Sequence, residues 1–228
     1  MTYKNSIDIA IEAIRRGAMV IVTDHEDREN EGDLIMAACH ADAESIAFMV
    51  RYSSGLLCVP LLGERLDELD IPLMVSRNED AMSTAFTVSV DLREGTTTGI
   101  SAQDRALTIR ALTAPDSKPH HFTRPGHVFP LRAAKGGVLQ RPGHIEAATD
   151  LTRLAGLPIG GVIGELVNDD GTMMRGARLK MFAIHHQLPL ISIDELIEYR
   201  LEVGDVEGTS QCEQHTSWMH HQTKIIHA

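Results

Sequence analysis

Residues 24–33 place six carboxylates in ten positions: Asp24, Glu26, Asp27, Glu29, Glu31 and Asp33, with Arg28 as the one fixed cation among them. The run follows an apolar segment, Met19-Val-Ile-Val22, and leads into another, Leu34-Ile-Met-Ala-Ala38. Two buried-type strands therefore pin a self-repelling loop between them. Such a cluster needs something to neutralise it, and a divalent cation or a polar substrate does so. Asn30 and Gly32 add tight-turn chemistry. A solvated charged loop is the plainer reading, and the apolar flanks argue against it. Carboxylates held this way bind a metal, polarise sugar hydroxyls or shuttle protons, and the residues alone leave these three open.

The rest of the pattern predicts a helix from Ser6 to Arg16, with Ile7, Ala10, Ile11 and Ile14 on one face and Gly17 as its stop. Strands are expected at 19–23 and 34–38. A helix capped by Asp42 runs to about Tyr52, and a short strand follows at 56–59. Residues 83–90 read as a half-buried strand, because Phe86, Val88 and Val90 alternate with Thr87 and Ser89. Ser101-Ala-Gln-Asp104 resembles a capping box and opens a helix to about Leu112. A helix at 144–154, a strand at 161–167, a turn at Asp169-Asp-Gly171 and a last helix from Ser192-Ile-Asp-Glu195 to near Arg200 complete the reading. The irregular alternation, without repeats or a long linker, favours a single α/β (α+β) domain with a sheet layered between helices. Composition shifts after Arg200. The expected organisation is a domain over 1–200 and a flexible His-rich tail over 201–228, whose Cys212, His215, His220, His221 and His227 match no zinc-finger spacing.

A formal net charge of −11 argues against a nucleic-acid or anionic-membrane role. No apolar stretch reaches the roughly 18 residues of a membrane span. The N-terminus carries acids inside its apolar run, unlike a signal peptide. Cys39, Cys58 and Cys212 are odd in number and widely spaced, which argues for a reducing, cytoplasmic setting.

Two related stretches, Arg124-Pro-Gly-His127 and Arg141-Pro-Gly-His144, each place a cation, a rigid turn and an imidazole within four residues. An Arg before a Gly-His turn at a helix start is a phosphate site, since guanidinium, free N–H groups and helix dipole all favour an anion. The imidazoles can instead ligate metal, move protons or be structural. Glu165 lies inside the apolar Gly161-Val-Ile-Gly-Glu-Leu-Val167, either at a sheet edge or partly buried with a raised pKa. Cys58 reads as a small buried hydrophobe. The hydroxyl-rich stretch from Thr96 to Arg105 either lines a polar pocket or satisfies backbone groups, and the pocket is the favoured reading.

Taken together, Glu26-Asp-Arg-Glu-Asn-Glu-Gly-Asp-Leu34, Thr84-Ala-Phe-Thr-Val-Ser-Val-Asp91, Thr97-Thr-Gly-Ile-Ser-Ala102, Arg124-Pro-Gly-His-Val-Phe-Pro-Leu-Arg132 and Gly136-Gly-Val-Leu139 resemble the 3,4-dihydroxy-2-butanone 4-phosphate synthases of riboflavin biosynthesis. The resemblance runs from about Ser6 to Arg200. It implies a mixed sheet between helix layers, a homodimer, magnesium or manganese, and no organic cofactor. It also implies a lyase that converts D-ribulose 5-phosphate to L-3,4-dihydroxy-2-butanone 4-phosphate and formate. By motif match, Glu29 and His144 are metal ligands. Arg28, Glu29, Asp33, Glu165 and the turn Arg141-Pro142-Gly143-His144-Ile145 hold substrate, the turn taking its phosphate. His127 and Glu165 transfer protons, and Asp33 and Cys58 stand with them at the reacting end. Three positions depart from the family pattern: Ile145 replaces a threonine, Gly164 a cysteine and His25 an acid. They raise the alternative of a diverged paralogue that binds a sugar phosphate with altered or weak activity.

Overall fold

The computed structural model describes residues 3–205. In chain order the elements are α1 (Tyr3–Arg15), β1 (Val20–Thr23), β2 (Gly32–Ala37), α2 (Ala43–Tyr52), β3 (Cys58–Leu61), α3 (Gly63–Glu68), β4 (Val90–Leu92), α4 (Ala102–Thr113), β5 (Phe122–Arg132), α5 (His144–Leu154), β6 (Gly161–Glu165), α6 (Ala177–His186), β7 (Leu190–Ser192) and α7 (Ile193–Glu202). One seven-stranded sheet runs β4-β5-β3-β6-β2-β1-β7. The β1–β7 and β3–β5 pairs are parallel. β2 is antiparallel to both β1 and β6, so the sheet is mixed.

Strand side chains alternate between two cores. Ile21, Leu34 and Met36 join Ile46 and Met49 of α2, Ile109 and Leu112 of α4 and Leu179 of α6. Val20, Val22, Ile35 and Ala37 join Ile7 and Ile14 of α1, Leu151 of α5 and Leu196 of α7. Burial on both faces explains why β1 and β2 read as continuous apolar runs. The result is the expected single domain of three layers, helix–sheet–helix.

The expected caps form at Asp42 and Ser192, and the structure makes each reciprocal, with Ser45 and with Glu195. At Ser101 only half the box forms. The hydroxyl accepts the Asp104 N–H at 3.0 Å, while the Asp104 carboxylate turns to Thr97 and Gly99.

The strand expected at 83–90 is reduced to isolated bridges, Phe86 with Leu131 and Thr87 with Leu73, before β4 begins at Val90. Its neighbour in β5 includes Pro130, which offers a carbonyl and no N–H, so a continuous ladder cannot form. Thr87 takes that carbonyl through both its N–H and its hydroxyl. The first Arg-Pro-Gly-His stretch is also not a turn: it lies within β5. Gly126 is required there because an added Cβ would overlap the backbone of Val90 and Asp91.

At the far end, α7 continues to Glu202, and Asp205 receives bonds from Arg153 and Arg200. The remainder of the expected tail, from residue 206 with its Cys and His residues, lies outside the described residues. Arg200 is 1% exposed and donates to Asp150 and to the Gly136 carbonyl, each at 2.8 Å. Arg200→Ala strands the buried Asp150 charge and is expected to cost about 3 kcal/mol of stability. An unchanged urea midpoint would contradict that.

Candidate active site

The acidic loop joins β1 to β2, and burial sorts its six acids. Asp24 is buried: its Oδ2 accepts the Arg28 guanidinium at 3.0 Å and the Glu29 N–H at 2.9 Å, and its Oδ1 accepts the Glu31 N–H at 2.8 Å. One inward carboxylate thus folds the loop back on itself. Arg175 clamps it from outside, donating to the Asn30 carbonyl at 2.9 Å and to Glu31 Oε1 at 2.7 Å. Glu26 and Asp27 are exposed. Neither Asp24 nor Arg175 stood out in the sequence. Six neighbouring acids look alike until burial separates them, and Arg175 is far away along the chain.

The loop brings Glu29 to the start of α5. His144 Nδ1 lies 3.7 Å from Glu29 Oε2 and 3.8 Å from Asp33 Oδ1. Ligand atoms of Asp24, Glu29 and His144 all lie within 4.8 Å of one another. His144 Nε2 and Asp33 Oδ1 are buried with no hydrogen-bond partner, a costly arrangement for a protein to keep. Hard carboxylate oxygens plus one imidazole suit magnesium or manganese, so these residues fit such an ion.

The electrostatics follow from crowding. The adjoining His144 imidazole, with Arg28, holds Glu29 down at about 2 against the effect of burial. Burial raises Asp33 to about 7, and Glu165, Glu29 and Glu31 add to the rise while His144 opposes it. Burial alone would depress His144, but Asp33, Glu29 and Asp24 outweigh it and raise the imidazole to about 9.

Asp33 and Glu165 are direct partners across the antiparallel β2–β6 pair. Asp33 is 3% exposed, while Glu165, at the end of β6, is open to a cleft of about 240 Å³. The buried carboxyl of the pair is thus Asp33, whose pKa burial raises, and Glu165 is the exposed one. Arg28, Glu29, Cys58, Arg141, His144 and Ile145 share this cleft, as do Asp80, Met82 and Thr84 from a loop that the pattern did not single out as functional. Burial, with Glu165 and Asp33 nearby, pushes the Cys58 thiol up to about 12, so it forms the wall as a neutral group. Cys58→Ser is therefore expected to keep kcat for the reaction proposed below within about tenfold of wild type, in contrast to loss of a thiolate nucleophile.

Beside these groups, α5 starts at Gly143 without a side-chain cap, which leaves its first N–H groups for an anion. An added Cβ at Gly143 would lie 2.7 Å from Arg141 Nη1 and 3.3 Å from Arg28 Nη2, so both guanidiniums converge on this turn. Glu146, 1% exposed, fixes Arg141 at 2.8 Å and accepts the Ala134 N–H at 2.9 Å. Pro142 and Gly143 shape the turn without lining the cleft.

Two of the expected groups lie outside the cleft. His127 is not among the cleft residues; on β5, its ring is bound to Asp91 instead. The loop from Thr96 does not line the cleft either. It wraps the Asp104 carboxylate, which satisfies the Thr97 and Gly99 N–H groups.

Residues 8–199 match the family model of 3,4-dihydroxy-2-butanone 4-phosphate synthase. The chain belongs to this family. A 3,4-dihydroxy-2-butanone 4-phosphate synthase of Agrobacterium fabrum is 59% identical over 193 residues, covering 85% of this chain and 91% of that one. A chloroplastic bifunctional riboflavin biosynthesis protein of Arabidopsis thaliana is 52% identical over 217 residues, and there the chain spans 40% of the relative. Among solved structures, a synthase of the family in complex with two magnesium ions superposes with a TM-score of 0.84 at 47% identity, covering 90% of this chain and 99% of that one.

Within this synthase fold the three departures differ in weight. Ile145 is 6% exposed, packs into the core beneath α5 and lines the cleft. Gly164 also lines it, against Ser53, where an added Cβ would lie 3.0 Å from the hydroxyl, so glycine suits the packing present. His25 is exposed, accepts the Asp27 N–H at 3.2 Å and lies outside the cleft.

Proposed function

We propose that the chain converts D-ribulose 5-phosphate to L-3,4-dihydroxy-2-butanone 4-phosphate and formate, as a homodimer using magnesium or manganese. One observation carries the reading: a cross-strand Asp33–Glu165 pair shares a cleft with a carboxylate–imidazole donor set and a two-arginine anion cradle.

Arg28, Arg141 and the α5 terminus grip the unreactive phosphate, so binding energy orients the sugar end toward the carboxylates. Glu29 and His144 would hold the ion, with Asp24 folding the loop behind them. A bound divalent ion supplies charge stabilisation for a substrate oxygen. Enolisation, dehydration and the one-carbon shift need repeated proton transfers on one bound skeleton. Asp33, held near 7, exchanges a proton readily at neutral pH, and Glu165 faces it across the strands. His127 is the third proton-transfer group. It is exposed and lies outside the cleft of its own chain, which supports a homodimer in which a second copy delivers it.

The test is formate release from ribulose 5-phosphate with magnesium. Ile145 favours a second reading, a diverged paralogue that binds this sugar phosphate without turnover. Ile145→Thr would restore a hydroxyl at the anion cradle and is expected to lower KM about threefold at constant kcat. Turnover that appears only in the Ile145→Thr variant would support the paralogue instead.

A further inference from the structure

His127 stands on β5 with 43% of its side chain exposed. Its backbone N–H donates to Asp91 Oδ1 at 2.9 Å, and its Nδ1 lies 2.7 Å from Asp91 Oδ2. Asp91 is on the adjacent β4 and is 8% exposed. A single carboxylate therefore fixes both the backbone and the ring of one residue. An ionised carboxylate only accepts, so this contact favours the tautomer with its proton on Nδ1 and its lone pair on Nε2. Nε2 has no hydrogen-bond partner among the described residues.

Gly99 covers this bond. Its φ is +92°, and an added Cβ would overlap the Asp91 carboxylate and lie 2.8 Å from His127 Nδ1. Asp104 holds the covering loop in place: its Oδ2 accepts the Thr97 hydroxyl at 2.7 Å and the Gly99 N–H at 3.1 Å. One ring nitrogen is thus enclosed by carboxylate and glycine while the ring as a whole stays open to solvent.

We propose that Asp91 is a positioning residue for proton transfer by His127, holding the imidazole in the tautomer whose bare Nε2 accepts a proton, with the Thr97–Gly99 loop as its cover. The proposal rests on His127 being a proton-transfer residue. Two measurements on the full chain separate the two ideas. With ¹⁵N-labelled histidine, and with the His127 signals assigned by their loss in His127→Gln, nitrogen NMR should show Nδ1 protonated and Nε2 bare. Asp91→Asn offers an amide that donates to Nδ1 and reverses the tautomer. It is expected to lower kcat for formate release about 100-fold with KM within about threefold. Wild-type His127 protonated at Nε2 instead, or an Asp91→Asn kcat within about threefold of wild type, would overturn the proposal. A His127→Gln variant with full activity would instead remove the role of His127 itself, whatever the tautomer. If Asp91→Asn does not fold, the wild-type spectrum decides.

Discussion

Glu29→Gln and His144→Ala are each expected to lower kcat for formate release by about 10³-fold. Charge stabilisation by a bound ion is worth several kcal/mol, and about 4 kcal/mol corresponds to that factor. Both variants should also bind magnesium more weakly by calorimetry, which separates loss of the ion from loss of a proton carrier. The sign of the pH dependence follows from His144. Its imidazole is raised to about 9, so it holds a proton at neutral pH and must release it to ligate. Magnesium affinity in the wild type should therefore rise with pH up to about 9, by up to about tenfold per unit, with protons released on binding. Affinity that is flat between pH 6.5 and 8.5, or wild-type affinity in His144→Ala, would remove His144 from the donor set.

Glu165→Gln keeps the shape and removes the proton carrier. A loss of about 10³-fold in kcat is expected, in the middle of the range for general acid–base groups, with magnesium affinity little changed. Glu165 is exposed at the end of β6, outside both hydrophobic cores, so the fold should be unaffected. Asp33 faces the opposite test. Removal of the Glu165 charge relieves one of the carboxylates that hold it up, so its pKa should fall below the present value of about 7. Carbon NMR on the labelled Asp33 carboxyl reads this directly, and no downward shift would mean that the cross-strand pair is not coupled.

Several parts of this arrangement could be read from residue order alone. Apolar runs at β1 and β2 revealed strands buried on both faces, and the caps at Asp42 and Ser192 marked two helix starts. The acidic loop demanded a counter-charge, and α5 begins where the second Arg-Pro-Gly-His stretch ends. Most of the misses trace to tertiary contact. Arg124-Pro-Gly-His127 has the composition of a turn, yet Gly126 is there because β4 crosses close against β5. Helix α6 went unnoticed because Met181 and Ile184 are 70% and 77% exposed, which blurs its apolar face. Asp24 and Asp33 differ from Glu26 and Asp27 only in burial, and burial is set by elements far along the chain.

In the proposed reaction one cleft both grips a phosphate and shuttles protons for a lyase step. It is tested most directly by incubating the full chain with D-ribulose 5-phosphate and magnesium and measuring formate against the four-carbon phosphate product. The two should appear in equal amounts, abolished by a chelator and lowered about 10³-fold in Glu165→Gln. Ribulose 5-phosphate that binds but yields no formate above the Glu165→Gln control would contradict it.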